Sequence, residues 1–186
     1  MEYYSGYLSP LGPMTMTGDE EALTGLWFDG QRYYAAGRKK TEIKTDNRQM
    51  KTDLPVFEQT GRWLDLYFAG KDPGFVPPVR LEGTAFRKAV WEILQQIPYG
   101  QTMTYGQIAE QIASERGIVR MSAQAVGGAV GHNPVSIIVP CHRVLGAGGS
   151  LTGYGGGLDR KKALLELEKI DYMEGQNEQI SAEYRG

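Results

Sequence analysis

The sequence predicts an α+β protein: a small mixed β-rich N-terminal domain, then a mainly helical C-terminal domain containing a helix-turn-helix. Three observations carry this. Short runs between turn signals in the first third alternate or cluster apolar residues as strands do. Asp72-Pro73-Gly74-Phe75-Val76-Pro77-Pro78 then interrupts regular structure, because prolines lack an N–H and restrict their neighbours. Beyond it, apolar residues recur at helical spacing behind Ser and Thr caps. The domains are therefore set at 1–79 and 80–172, and the polar tail over 173–186 is expected to be disordered.

Met14-Thr15-Met16-Thr17 alternates, Gly18 to Glu21 turns the chain, and Ala22 to Phe28 returns it as a hairpin partner. Asp29-Gly30 is a turn signal, with Gln31 to Ala35 as the next expected strand. Arg38-Lys39-Lys40 reads as solvated surface. Val56 to Tyr67 has helical spacing, with Phe57, Trp63, Leu64 and Tyr67 on one face. After the proline segment, Thr84 caps a helix to about Gln96 that turns Phe86, Val90, Ile93, Leu94 and Ile97 inward. Pro98-Tyr99-Gly100 makes a turn. Thr104 caps a second helix, burying Ile108, Ala109 and Ile112, and Ser122 caps a third, Ala123 to Val130. Two short helices across a break near Gly117 fit a helix-turn-helix. Val135 to Val139 is expected to be an extended apolar strand that delivers Pro140-Cys141-His142-Arg143-Val144. Gly146 to Gly157 is a glycine-rich loop, and Asp159 is the expected cap of a last helix carrying Leu164, Leu165 and Leu167. No internal repeat is present.

The formal charge of −2 is unlike a typical basic nucleic-acid-binding domain, although a local basic face can coexist with it. One cysteine makes an intramolecular disulfide impossible, which points to a reducing, cytoplasmic compartment. Cys141, His132 and His142 cannot make a four-ligand zinc site, so no metal is expected. No apolar run reaches the length of a membrane span, and Met1-Glu2-Tyr3-Tyr4 does not read as a secretion signal. The glycine-rich loop lacks a Walker lysine pattern, which excludes a phosphate cradle of that type.

A lone cysteine is usually an inert small hydrophobe. Cys141 has a different setting: it follows an apolar segment and Pro140, and precedes a histidine, an arginine and a glycine-rich loop. A thiolate is a soft nucleophile favoured by nearby positive charge. In a strand, Cys141 and His142 would point to opposite faces, so direct contact needs a turn or a bridging water. A glutamate can orient the imidazole, but spacing does not select which, and a buried core histidine is an equal reading of His142. Gly127-Gly128 within a helix costs about 1 kcal/mol each relative to alanine. Close approach of a ligand and tight helix packing both account for them.

Pro140-Cys141-His142-Arg143-Val144 resembles the O6-alkylguanine-DNA alkyltransferases, the methylated-DNA–protein-cysteine methyltransferases. So do Tyr105-Gly106-Gln107-Ile108-Ala109, Ala125-Val126-Gly127-Gly128-Ala129, Asn133-Pro134 and Tyr154 to Leu158, in the family's order and spacing. The resemblance is specific from about Phe86 to Glu168; over the first eighty residues only length and β character match. It implies a ribonuclease H-like N-terminal domain and irreversible alkyl transfer from O6 of guanine in double-stranded DNA, by a monomer without cofactor. It further implies that Cys141 accepts the alkyl group, His142 deprotonates it through a water, Glu168 holds His142, and Asn133 braces the preceding turn. Tyr105 would bond the flipped base and turn its phosphate. Val130, Ser136, Val144, Tyr154 and Gly155 would line the guanine pocket, with the carbonyls of Cys141 and Val144 reading the exocyclic amine. The recognition helix would enter the minor groove through Ala123, Ala125, Gly127 and Gly128. Where many members carry an intercalating arginine this chain has Gln124; Arg120, one turn earlier, and Arg87 are the expected phosphate contacts.

Three other readings compete. A damage-binding protein of this architecture would lack the acceptor cysteine, which is present here. A cysteine hydrolase would need an oxyanion hole and would turn over. A helix-turn-helix regulator would be indifferent to loss of Cys141.

Overall fold

The computed structural model describes residues 1–32 and 49–174. Strands β1 (Tyr3–Ser9) and β2 (Gly12–Gly18) form an antiparallel hairpin. Ser9 closes its turn: the hydroxyl donates to the Gly12 carbonyl at 2.6 Å and accepts from the Leu11 N–H at 3.1 Å. β3 (Leu23–Phe28) pairs antiparallel with β2, and β4 (Gln49–Met50) pairs parallel with β1, giving the order β3-β2-β1-β4. Nothing in the residue pattern marks β1 as a strand. Its buried positions are Ser5 and Ser9 while Leu8 is exposed, so its polarity runs opposite to the usual signal.

The expected strand from Gln31 does not begin there. The Gln31 side chain takes the Phe28 N–H at 2.9 Å and the Arg32 N–H donates to the Gly155 carbonyl at 2.9 Å, so the chain leaves the sheet. Residues 33–35 and the Arg38-Lys39-Lys40 run lie outside the described residues.

Helix α1 (Pro55–Phe68) starts with proline in its first turn, where a missing N–H costs nothing. It buries Val56, Phe57, Thr60, Trp63, Leu64 and Tyr67 on the face the spacing indicates. The proline-rich segment is irregular but not a free tether. Trp63 Nε1–H donates to the Phe75 carbonyl at 2.8 Å, and Leu23 exchanges backbone bonds with Pro78 and Arg80 at 2.8 Å each.

Thr84 caps α2 (Ala85–Gln95) by accepting the Arg87 N–H. Val90, Ile93, Leu94 and Ile97 are buried as expected, and Phe86 is half-buried. Thr104 and Gln107 form a reciprocal capping box on α3 (Tyr105–Arg116), which ends at Gly117 with φ 63°. Ser122 caps α4 (Ala123–Gly131), and α2, α3 and α4 pack on one another. Two-residue strands β5 (Met103–Thr104) and β6 (Val144–Leu145) pair parallel, which brings the start of α3 beside the segment after Cys141.

Helix α5 (Leu158–Leu167) begins after Gly157, whose φ is 94°; Asp159 lies within the first turn and caps nothing by its side chain. A carboxylate there still meets the positive end of the helix dipole, but the left-handed glycine makes the entry turn. The segment Val135 to Val139 is also not the expected strand. Only Val135 bridges, to Leu26; Ser136 to Ile138 form a turn. Beyond the expected domain end, Met173 pairs with the 149–151 segment, and residues 175–186 lie outside the described residues. A single apolar cluster runs from Met14, Leu26 and Phe57 through Trp91 and Ile108 to Val139 and Cys141, so the core joins both halves. No helix among the described residues is long and apolar enough to cross a membrane.

Candidate active site

Asn133 builds the turn that presents the cysteine. Its Nδ2 donates to the Val139 carbonyl at 2.7 Å and its Oδ1 accepts the Val135 N–H at 3.0 Å. Between them Ile137 takes φ 69°, which costs a β-branched residue on the order of 1–3 kcal/mol. The chain emerges from Pro140 into a 3₁₀ turn, Cys141–Arg143. Successive side chains there lie about 120° apart rather than opposed. Cys141 therefore faces one way while His142 and Arg143 turn back into the protein.

Behind Cys141 sits a closed polar cluster on Glu168, at the end of α5. Glu168 Oε2 accepts from His142 Nε2 and from the Tyr67 hydroxyl at 2.7 Å. Its Oε1 accepts from Arg143 Nε at 2.7 Å and from the Gly100 N–H at 3.0 Å. Arg143 also donates to the Ile97 carbonyl at 2.7 Å. Burial raises the Glu168 pKa, but these donors, with the Arg143 charge, outweigh it and hold the carboxyl near 2. Burial pushes His142 down, against the pull of Glu168, so the imidazole is neutral. An ionised carboxylate only accepts, so the proton is on Nε2. Nδ1 is buried, makes no hydrogen bond among the described residues, and is free to act as a base.

Burial likewise raises the Cys141 thiol, opposed by a hydrogen bond from Asn133, the Lys161 charge and local backbone N–H groups. The resting group is a thiol that needs a base, not a free thiolate. Lys161 is fully buried, and its ammonium donates to the carbonyls of Val144 at 2.6 Å, Thr152 at 2.7 Å and Gly153 at 3.2 Å. Burial lowers its pKa to about 8.

Cys141 opens onto a cavity of about 780 Å³. Of the sequence-predicted site residues, Tyr105, Gln124, Gly127, Gly128, Val130, Asn133, Ser136, Tyr154 and Gly155 line it with Cys141. Tyr105 stands at the head of α3 and Tyr154 in the glycine-rich loop. The two α4 glycines are not explained by helix packing. A Cβ on Gly127 would only touch the Tyr105 ring at 3.8 Å, and one on Gly128 would meet open space. Val144 does not line the cavity; it is fully buried and its carbonyl is taken by Lys161. His142 and Glu168 lie behind the wall. Ala123 and Arg120 are exposed outside the cavity, and Arg87 is half-buried in the first turn of α2.

Tyr67, Lys161 and Gln31 also belong to the site, and no sequence motif marks them. Gln31 lines the cavity and accepts from Ser136 Oγ at 3.4 Å. Tyr67 reads as core, and the contacts of Tyr67 with Glu168 and of Lys161 with the Val144 carbonyl join residues far apart in the chain, which leaves no local signal.

The fold and site define an α+β protein that holds one cysteine at a cavity walled by a helix pair, with a histidine–glutamate pair behind it. Profiles of two domains match the chain: the ribonuclease-like domain of 6-O-methylguanine DNA methyltransferase over residues 2–81, and its DNA binding domain over residues 85–170. The methylated-DNA–protein-cysteine methyltransferase of Haemophilus influenzae is 40% identical over 173 residues, 92% of this chain and 89% of that protein. The one of Methanosarcina acetivorans is 43% identical over 169 residues, 89% of this chain and 97% of that protein. The crystal structure of Mycobacterium tuberculosis OGT in complex with DNA superposes with a TM-score of 0.74 at 44% identity, covering 90% of this chain and 92% of that one. The chain belongs to the 6-O-methylguanine DNA methyltransferase family and is a methyltransferase.

Proposed function

We propose that this protein repairs DNA directly, moving an alkyl group from O6 of guanine to Cys141 and keeping it. The observation that carries this is the position of Cys141: it lines a cavity bounded by α3 and α4, with a neutral histidine held by Glu168 on its other side. The nucleotide must leave the duplex to reach the cavity, which costs a few kcal/mol. The helix pair approaches from the minor groove, where Ala123, Gly127 and Gly128 leave room for it. Gln124 bonds the orphaned base, Arg120 and Arg87 attract phosphates, and Tyr105 steers the extruded base. Val130, Ser136, Tyr154 and Gly155 form the guanine pocket, with the Cys141 carbonyl at the exocyclic amine.

The thiol proton passes through a water to His142 Nδ1, and Asn133 keeps the sulfur presented. Sulfur attacks the alkyl carbon in line, so a C–S bond forms as the C–O6 bond breaks. The electron pair stays on guanine, which Tyr105 neutralises with a proton, balanced by the one His142 has taken. Positioning supplies much of the rate. The thioether is a poor leaving group, so each molecule acts once, without cofactor.

Residues 1–79 and 80–172 act as two domains that divide at the end of the proline segment, a division supported by the separate profile matches. The protein works as a monomer on double-stranded DNA in the cytoplasm, consistent with its single unpaired cysteine. The test is transfer of a radiolabelled methyl from an O6-methylguanine duplex to wild type and Cys141→Ser. One label per wild-type molecule, on Cys141, and none on the variant is expected. Multiple turnovers, as a hydrolase would give, would refute it.

A further inference from the structure

The hydroxyl on Glu168 Oε2 comes from α1, in the N-terminal half, 75 residues before His142 and 101 before Glu168. A buried tyrosine needs one partner for its O–H. Tyr67 places that bond, at 2.7 Å, on the same carboxylate oxygen that takes the His142 Nε2–H, and its own oxygen stands 3.3 Å from Nε2. The ring cannot swing away. It stacks on Trp63 with centroids 5.2 Å apart and planes 7° apart, and meets Tyr99 and His142 edge-on at 6.2 Å each.

We infer that Tyr67 is a positioning residue for alkyl transfer: it fixes Glu168 Oε2 on His142 Nε2 and so keeps Nδ1 as the basic atom behind Cys141. The inference rests on the alkyl-transfer reading above. Tyr67 is thereby a contribution of the N-terminal half to the chemistry, beyond scaffolding. Donation from the phenol also draws charge from Oε2, so the carboxylate pulls less strongly on the imidazole proton. Without it, Glu168 stabilises the imidazolium more and the histidine protonates at higher pH. The other groups facing His142 are Arg143 beside it, Lys161 from α5 and Cys141 from the same turn, with Tyr99 from the turn after α2 and Tyr154 from the glycine-rich loop reaching Tyr67. Phe at 67 leaves all of them in place.

The experiment is Tyr67→Phe in the full chain, read two ways. Single-turnover methyl transfer from an O6-methylguanine duplex is followed against pH, and the imidazole ¹⁵N shifts are titrated. The chain has only two histidines, so His142 is resolved from His132. The expected result is an acid limb and a His142 titration that both move to higher pH. A rate loss near neutral pH of about tenfold should accompany it, the scale of one hydrogen bond to a charged group. 3-Fluorotyrosine at 67, a stronger donor, should move both titrations to lower pH, and it serves if the Phe variant folds poorly. Val56→Ala, which opens the core two turns and more before Tyr67 on α1, should lower stability without moving either titration. Unchanged titrations in Tyr67→Phe or in the fluorotyrosine protein would overturn the inference. If wild type transfers no methyl, the functional reading fails instead, while the ¹⁵N titration still decides what Tyr67 does to His142.

Discussion

Glu168→Gln tests the cluster behind the cysteine most directly. Gln keeps the volume but turns one acceptor oxygen into a donor. Four donors converge on the carboxylate, so the amide must face either His142 and Tyr67 or Arg143 and Gly100 with the wrong polarity. Arg143, only 7% exposed, also loses its counter-charge. Removing one partner of a buried ion pair costs about 3–5 kcal/mol. The depression of the Glu168 pKa points the same way: the His142 hydrogen bond and the Arg143 charge favour the ionised carboxylate in the folded state, against its burial. The folded-state pKa is depressed, so this stability is present above the unfolded value and lost as pH falls through the folded one. Urea unfolding of wild type and variant should differ by about 3 kcal/mol at pH 7, and the gap should shrink as pH drops from 4.5 towards 2. For a chain of this size, thermal midpoints at pH 7 should separate by on the order of 10 °C. A gap below about 1 kcal/mol, the worth of a surface pair, or one independent of acid pH, would refute the reasoning.

Further outcomes follow from the turn and the DNA-facing surface. Asn133→Ala leaves the buried Val135 N–H unpaired and should cost about 2–4 kcal/mol in urea unfolding. It also removes a bond that lowers the Cys141 pKa, so thiol modification by iodoacetamide should shift to higher pH; an unmoved profile would count against the brace. Arg120→Ala should weaken binding to duplex DNA and reduce the slope of log K against log salt by about 0.9. Equal affinity and slope at low salt would remove Arg120 from the interface.

Much of the second half was legible in the sequence, because helix caps and apolar spacing are local physics. Thr84, Thr104 and Ser122 cap where expected, and Phe57, Trp63, Leu64 and Tyr67 share one buried face. The family motifs likewise pointed to Cys141, His142, Asn133 and Glu168, which the fold draws together from the Asn133 turn and the end of α5. The misread elements failed for physical reasons. Val135 to Val139 is apolar because it is buried, and burial alone does not distinguish a strand from a turn held by an asparagine. β1 carries serines inward, inverting its pattern.

By itself the sequence determined which residues can do the chemistry: one sulfur, two histidines, capped helices and a pair of glycines within a helix. Only the tertiary structure decided how they work together. It set the imidazole tautomer, because a carboxylate from the far end of the chain accepts at Nε2. It placed Tyr67 on that carboxylate and a buried ammonium on the loop carbonyls. Hydrogen bonds across more than a hundred residues depend on how two halves share a core, and no local spacing along the chain encodes that arrangement.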